Sequence, residues 1–217
     1  MTQTATSSRR ELNKERTRRA IQTSVLQLAC EGPIGELTAE QIAEGAGVSR
    51  RTFFNYYAGL DTLLAEATQE PMLGLFEDFL ARPGHEDPLS AMIATLRGPL
   101  PIELARWCAA LSRPDNQRGE IYAQVWARHT DWLAGMLQAR LGPDADPLYV
   151  AGLAGSVMSL FTAAQDIWIA RTRGGLDEAS LLLFADLLRT ALGHARAGWR
   201  TARTPPVGPV TIAPEPD

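Results

Sequence analysis

Two adjacent arginines, Arg50 and Arg51, begin a short polar segment whose side chains could bind an anionic partner. An arginine can donate paired hydrogen bonds to guanine O6 and N7, or pair with a phosphate. The helix dipole disfavours positive charge at a helix start, so the two arginines indicate an external anionic partner. The alternative is that they simply form a solvated helix start. Neighbouring Thr, Ser, Asn and Tyr side chains are of types that contact base edges or phosphates. The predicted DNA-binding residues are Thr38, Ser49, Arg50, Arg51, Thr52, Asn55 and Tyr56.

The residues around this segment predict two short helices joined by a tight turn. Thr38, followed three residues later by Gln41, makes a T-x-x-Q capping box, and a first helix is expected over residues 39–44. Gly45-Ala46-Gly47 ends that helix because glycine tolerates left-handed backbone, and Ser49 caps the second helix. The pattern is typical of a helix-turn-helix that reads double-stranded DNA.

A longer helix is predicted before this unit, over residues 9–31. An apolar stripe at helical spacing can pack on the two reader helices, and it consists of Ile21, Val25, Leu28 and Ala29. We expect the closest helix approach at the small residues Ala43 and Gly47. Three arginines lie in the early turns of this helix. One interpretation is that they reach the phosphates of the DNA backbone, and the other is that they form a solvated face with Glu15 as partner. The three arginines are Arg16, Arg18 and Arg19.

Charge is distributed unevenly along the 217 residues, whose formal net charge is −4. Through residue 60, eight Lys and Arg side chains stand against six Glu, a charge of +2; the rest carries thirteen cations and nineteen anions, a charge of −6. This asymmetry favours a DNA-facing N-terminal module on an acidic body. The overall acidity argues against nonspecific coating of nucleic acid.

The composition, with 45% hydrophobic and 21% charged residues, is typical of a soluble globular protein. The sequence has no run of 18 apolar residues, so no membrane partner is expected, and the N-terminus lacks the apolar core of a secretion signal. Cys30 and Cys108 are far apart and are expected to be the reduced, buried thiols of a cytoplasmic protein.

Catalytic motifs are missing from the sequence. It contains no nucleotide-binding glycine motif, no nucleophile elbow and no clustered Cys and His. The three histidines, His85, His129 and His194, have no metal-ligand spacing. We therefore expect no catalytic residues, no metal and no cofactor.

Residues from about Lys14 to Leu64 resemble the N-terminal domain of the TetR family of bacterial transcriptional regulators. The order and spacing that carry the resemblance are those of the Ile21–Ala29 stripe, Leu37-Thr38, Ile42-Ala43, Ala46-Gly47-Val48-Ser49 and Thr52-Phe53-Phe54-Asn55-Tyr56-Tyr57. The resemblance implies a homodimer in which each second reader helix enters a major groove. It also implies C-terminal helices that bind a small ligand and dimerise.

The chain departs from the family pattern just after the reader helix. Leu60 stands where the family usually has a lysine that grips phosphate, and Phe54 stands where a tyrosine hydroxyl often does the same. We expect Tyr56, Thr38 and the arginines to carry more of the phosphate binding. Backbone N–H groups at the helix start near Leu60 could contribute.

Turn residues divide the chain into an all-α architecture of four segments. They are a disordered arm (1–8), a three-helix helix-turn-helix domain (9–60), an all-helical ligand-binding and dimerisation domain (61–203) and a disordered proline-rich tail (204–217). Pro71 is expected to kink or break a helix over residues 60–80. Later helices are predicted over 88–97, 102–112, 114–141, 147–173 and 178–200.

The body is rich in bulky apolar side chains, which either fill the core or line an effector pocket. The predicted ligand-binding residues are Phe76, Trp107, Trp126, His129, Met136, Phe161, Gln165 and Trp168. Their character predicts an apolar or aromatic small-molecule effector. The last two helices of two chains could form a four-helix dimer interface, or they could pack only within one chain.

The sequence thus predicts a dimeric repressor that an effector releases from a palindromic operator. One alternative is a ligand-independent DNA-binding or assembly protein. The least favoured alternative is an α-helical enzyme.

Overall fold

The computed structural model describes residues 3–113, 116 and 120–200, with side chains from residue 9 onward. These residues form ten α-helices and two short 3-10 turns, with no strand among them, so the all-α prediction is confirmed. The helices are α1 (Gln3–Glu31), α2 (Ala39–Gly45), α3 (Arg50–Tyr56), α4 (Leu60–Gln69), α5 (Leu73–Ala81), α6 (Pro88–Thr95), α7 (Ile102–Leu111), α8 (Glu120–Leu141), α9 (Pro147–Thr172) and α10 (Glu178–Arg196). The predicted tail, residues 204–217, lies outside the described residues.

Proline and aspartate set several helix boundaries, as the sequence predicts. Pro71 lies in a 3-10 turn, Glu70–Met72, which interrupts the helical path between α4 and α5. Asp87, Asp146 and Asp177 each cap the helix that follows by accepting a hydrogen bond from a backbone N–H group. These caps satisfy donors that a helix start leaves without partners.

Several helix ends differ from the sequence prediction. α8 begins at Glu120 and not at residue 114, since Asn116 lies in a turn, and α6 ends at Thr95 and not at residue 97. α1 begins at Gln3, so the expectation of a disordered arm is wrong for residues 3–8; no glycine or proline interrupts the chain before Gly32. Met1 and Thr2 lie outside the described residues. α10 ends at Arg196 and not at residue 200, because Gly198 and Trp199 adopt left-handed backbone with φ of 63° and 60°.

The buried side chains form two hydrophobic cores. The N-terminal core joins α1 to α4 and also takes in Trp107 and Leu111 of α7 and Val125 of α8. Because Leu63 and Leu64 of α4 belong to it, this core extends past the predicted domain boundary at residue 60. The second core is built from α5 to α10 and includes Cys108. Cys30 is exposed at the end of α1, so the expectation of a buried thiol is wrong for this residue.

Hydrogen bonds and an ion pair connect the two parts of the chain. Asn116 accepts from the Ile34 backbone N–H at 2.7 Å and donates to the Ala110 carbonyl at 2.8 Å. Arg128 of α8 pairs with Asp61 of α4, with an Nη2–Oδ2 distance of 2.6 Å. Helix α4 is therefore held by the body at its first turn.

Helix α9 is unusual in its length and apolar character. It is the one described helix long and apolar enough to cross a membrane by composition, and 22% of its apolar window is buried in this chain. Leu148 and Tyr149 at its start and Ile167 near its end are exposed.

Candidate nucleic-acid interface and internal cavities

Reciprocal hydrogen bonds fix the start of α2. The Thr38 hydroxyl oxygen accepts from the Gln41 backbone N–H at 3.2 Å, and the Gln41 side-chain oxygen accepts from the Thr38 backbone N–H at 2.9 Å. The predicted capping box is therefore present. The Thr38 side chain remains exposed beside these bonds.

A second cap fixes the start of α3. The Ser49 hydroxyl oxygen accepts from the Thr52 backbone N–H at 3.0 Å, and the two hydroxyls lie 2.8 Å apart. Phe53 is buried and anchors α3 on the N-terminal core. These contacts determine which face of α3 is left outside.

The turn between α2 and α3 depends on two glycines. Gly47 has φ of 66°, which side-chain-bearing residues rarely adopt. The close approach lies at Gly45, where a Cβ atom would overlap Ser24 Oγ of α1. That hydroxyl donates to the Ile42 carbonyl at 2.9 Å, so it cannot move freely. The sequence expectation of a close approach at Gly47 was wrong, since no atom lies within 4 Å of a Cβ built there.

Polar residues of α3 form its outer face. Arg50, Arg51 and Asn55 are exposed, whereas Thr52 and Tyr56 are half-buried. With the exposed caps Thr38 and Ser49, all seven residues predicted to bind DNA thus lie on or beside one short unit. Such a unit offers hydrogen-bond donors and two cationic groups to an anionic surface.

The two arginines have different environments. Arg50 pairs with Glu40 of α2 at an Nε–Oε1 distance of 2.7 Å, and its guanidinium lies 5.4 Å from the centre of the Phe54 ring. Arg51 is exposed and makes no side-chain hydrogen bond or ion pair with any residue that the structure describes. Both groups of the Arg50 pair are more than half exposed, so water and salt screen the attraction.

Two of the three predicted phosphate-reaching arginines of α1 are paired within the protein. Arg19 pairs with Glu15 at 2.7 Å, and Arg18 pairs with Glu66 of α4 at 2.9 Å. Arg16 is exposed. At the α4 start, Gly59 offers no side-chain cap and the carboxylate of Asp61 lies in the first turn. That carboxylate makes this helix start a less favourable site for phosphate.

Two adjoining cavities lie inside the body, with volumes of about 90 Å³ and about 40 Å³. Six of the eight predicted ligand-binding residues line one or both of them. These six are Phe76, Trp107, Trp126, His129, Phe161 and Gln165. Sequence reasoning missed Thr68 and Leu104, which line the cavities from α4 and α7; no motif in the sequence indicates either residue.

The other two predicted ligand-binding residues line neither cavity. Trp168 is fully buried against Phe184, with ring centres 4.7 Å apart, and its indole N–H donates to Ser180 Oγ at 2.8 Å. Met136 is half-buried on α8 and also lies outside both cavities. Helical periodicity assigns such residues to an apolar face, but it cannot tell a filled core from a cavity.

His129 is a buried titratable side chain at the cavities. Its Nε2 lies 2.7 Å from the Thr68 hydroxyl, and Nδ1 is buried without a hydrogen-bond partner among the described residues. Burial lowers the pKa of His129 to about 4, against a smaller opposing effect of the Ala65 carbonyl. The imidazole is therefore neutral at pH 7.

Gln165 is the second buried polar group at the cavities. Its Nε2 donates to Ser112 Oγ at 2.6 Å and approaches the Cys108 carbonyl at 3.4 Å. Its Oε1 is buried without a partner among the described residues. Both polar residues thus lie among side chains that give the cavities an apolar surface.

The chain is similar to solved structures of two transcriptional repressors. FadR of Thermus thermophilus, a TetR family repressor solved in complex with lauroyl-CoA, is 23% identical over 92% of this chain and 99% of that chain, with a TM-score of 0.46. NalD of Pseudomonas aeruginosa, the secondary repressor of the MexAB-OprM multidrug efflux pump, is 18% identical over 81% and 96%, with a TM-score of 0.44. No protein-family model matches the sequence, and no curated protein is significantly similar to it. The structures that resemble this chain therefore include a repressor of the TetR family, which the N-terminal residues also resemble.

Proposed function

We propose that this protein is a DNA-binding transcriptional regulator that works in the cytoplasm as a homodimer. In this proposal α3 enters the major groove of a double-stranded operator. Its mechanism is binding and not catalysis, and the favoured outcome at a promoter is repression.

The observation that carries the proposal is the doubly capped unit of α2 and α3. Two side-chain caps and a left-handed glycine hold a seven-residue helix with arginines at its start. A rigid helix with an exposed polar face is what major-groove reading requires. The Arg50–Glu40 pair is exposed, so a phosphate or a guanine could replace the carboxylate at little cost.

Dimerisation is supported by the exposed apolar side chains of α9 and α10. Trp168 bonds to Ser180, which brings the end of α9 beside the start of α10. The exposed Ile167 and Leu182 lie in these two segments. Two copies of this pair would form a four-helix interface and present two reader helices to half-sites about 34–36 Å apart.

Effector control is supported by the position of α4. This helix follows the reader helix directly, and its Thr68 lines the smaller cavity and contacts His129. An apolar or aromatic effector in the cavities could therefore bias α4 and with it the spacing of the readers. It can do so only through unequal affinity for the two states.

Gel retardation of the DNA upstream of the encoding gene, at low ionic strength and with co-purified small molecules removed, tests the DNA-binding proposal. The wild type should retard this DNA, and the double variant Arg50→Ala/Arg51→Ala should lose specific binding while it keeps its helical circular dichroism. The matched control Arg97→Ala/Arg106→Ala removes the same charge from exposed positions of the body and should still bind. Unchanged binding by the reader variant, or no retardation by the wild type, would refute the proposal.

The alternative of a DNA-binding protein without an effector makes a different prediction. Such a protein would bind the same DNA, but no small molecule would raise its melting temperature by mass action.

A further inference from the structure

The part of α1 from residue 9 to residue 16, here called the projecting turns, extends beyond the N-terminal core. Residues 9–14 are all exposed, and six consecutive residues cover every face of a helix, so no described part of the chain covers them. The buried side chains of α1 begin at Ile21, about 18 Å from residue 9 along the helix axis. Packing within this chain therefore does not explain the projecting turns, and their surface is free for a partner.

The charges of the projecting turns are unbalanced. Four exposed cationic side chains there form no hydrogen bond or ion pair with any residue that the structure describes. They are Arg9, Arg10, Lys14 and Arg16. The acids of the same turns are Glu11 and Glu15, and Glu15 is already paired with Arg19 at 2.7 Å. The excess of unpaired cations fits an anionic partner.

The cations and the acids lie on different faces of α1. A helical residue turns about 100° from the one before it, so the four cations fall within an arc of about 160° that runs from Arg16 to Lys14. The uncharged polar residues Asn13 and Thr17 lie between them in this arc. Both carboxylates of the projecting turns lie outside it. The arc is therefore a continuous cationic surface, about 10 Å long between the Cα positions of residues 9 and 16.

This cationic surface lies on the side of α1 that contacts the end of the reader helix. Arg10, Lys14 and Arg18 are four residues apart, so they form one row along α1. The Arg18 guanidinium, at the inner end of the row, lies 6.0 Å from the ring centre of Tyr57, which follows α3 directly. Measured along α1, Lys14 and Arg10 lie about 6 Å and about 12 Å beyond this contact.

A DNA duplex that receives α3 would bring phosphates close to this row. A helix in a major groove about 12 Å wide has a phosphate backbone on each side of it. Long cationic side chains beside the end of that helix are within reach of one of these backbones. The start of α4 offers phosphate no cation, because Leu60 is apolar and the Asp61 carboxylate lies in its first turn. The projecting turns supply the cations that this helix start lacks.

From this geometry we propose that the projecting turns of α1 are a second DNA-binding surface, which binds the phosphate backbone beside the groove that α3 enters. Arg10 and Lys14 are the central contacts, and Arg9 and Arg16 extend the surface. It adds affinity without reading sequence, because phosphates are the same at every base pair. The inference rests on the proposed function, in that α3 binds the same duplex.

The salt dependence of DNA binding by the full-length variant Arg10→Ala/Lys14→Ala tests the proposal. Alanine is the strongest helix former, so the substitution removes charge and keeps the helix. The slope of log K against log salt concentration should become shallower by about 0.9 for each lost phosphate contact, or about 1.8 for each bound subunit. Fluorescence anisotropy with the upstream duplex and with an unrelated duplex of equal length measures this, and both affinities should fall by the same factor.

Two control variants separate a local contact from a general effect of charge. Arg97→Ala/Arg106→Ala removes the same charge from exposed positions of the body and should keep the wild-type slope. Arg10→Lys/Lys14→Arg exchanges the two cations and should also keep it, because the release of counterions depends on charge.

A wild-type slope in the Arg10→Ala/Lys14→Ala variant would overturn the proposal. An equal change of slope in the body variant would overturn it too, because the effect would then come from net charge. So would weaker binding of the upstream duplex alone, since the two residues would then read bases.

The same titrations separate failure of this inference from failure of the proposed function. A wild type that binds neither duplex contradicts both. A wild type that binds its upstream duplex, and loses this binding in Arg50→Ala/Arg51→Ala but keeps its slope in Arg10→Ala/Lys14→Ala, contradicts only the present inference.

Discussion

Single side chains at the cavities and on α3 have environments that their sequence positions do not reveal. His129 lies on an apolar stripe of α8, where a core histidine and a ligand contact look alike in sequence. In the structure it is a core histidine that is 2% exposed; Nε2 bonds to Thr68, and Nδ1 has no partner among the described residues. Likewise Arg50 is paired with Glu40, whereas Arg51 is not paired with any described residue.

The depressed pKa of His129 predicts a loss of stability in mild acid. Its folded pKa of about 4 lies below the unfolded value of 6.5. The unfolded chain therefore binds the proton first, so this contribution to stability is complete above pH 6.5 and is lost as pH falls toward 4. The loss should approach about 3 kcal/mol, at about 1.4 kcal/mol for each pKa unit.

Urea unfolding of the wild type and of His129→Gln between pH 7 and pH 4 measures this loss. The difference in unfolding free energy between the two proteins should shrink as the pH falls. Parallel curves would show that the pKa of His129 in the folded protein equals its value in the unfolded chain.

At the scale of elements, helix order and most boundaries could be predicted because they follow local chemistry. The caps at Thr38 and Ser49 and the break at Pro71 depend on residues within a few positions of each other. The contact between Ser24 and Gly45 joins two helices, and helical periodicity gives no register between them. For the same reason, the sequence prediction assigned Trp168 to the ligand pocket, whereas in the structure its ring stacks on Phe184.

The contact between α1 and α2 predicts a specific coupling. Gly45→Ala should destabilise the fold by about 1–3 kcal/mol, because the added methyl group overlaps the buried Ser24 hydroxyl. Ser24→Ala in the same chain should recover part of that loss, since it removes the overlapping atom. A double-mutant cycle by urea unfolding measures the coupling.

Gly35→Ala is the matched control, since no atom lies within 4 Å of a Cβ built at that glycine. It should change stability little. Strict additivity of the Ser24 and Gly45 substitutions would contradict the predicted overlap.

At the scale of the whole molecule, four exposed large apolar side chains lie on α9 and α10, the helices of the proposed dimer interface. Leu148 is 80% exposed at the start of α9, and Ile167 and Leu182 are about 40% exposed where α9 meets α10. The sequence shows that these helices are apolar, but it cannot show which of their faces remains uncovered after the chain folds.

Substitution in this surface should separate the subunits. Ile167→Glu/Leu182→Glu places two carboxylates in the proposed interface, and we expect a monomer by sedimentation equilibrium with unchanged helical content. DNA retardation should weaken strongly because one reader helix alone binds one half-site. Leu80→Glu, at another exposed leucine on α5, should remain dimeric. A dimer that persists in the double variant would place the interface elsewhere.

Helix α4 is bound by side chains of the helices on either side of it. Arg18 of α1 pairs with Glu66. On the other side, Arg128 of α8 pairs with Asp61, and His129 of α8 is hydrogen-bonded to Thr68. A chimera that grafts the first sixty residues onto a foreign sensor would cut between these partners. A chimera that carries α4 together with the matching α8 residues should still respond to its effector. A chimera joined at residue 60 should bind DNA but should not respond to the effector.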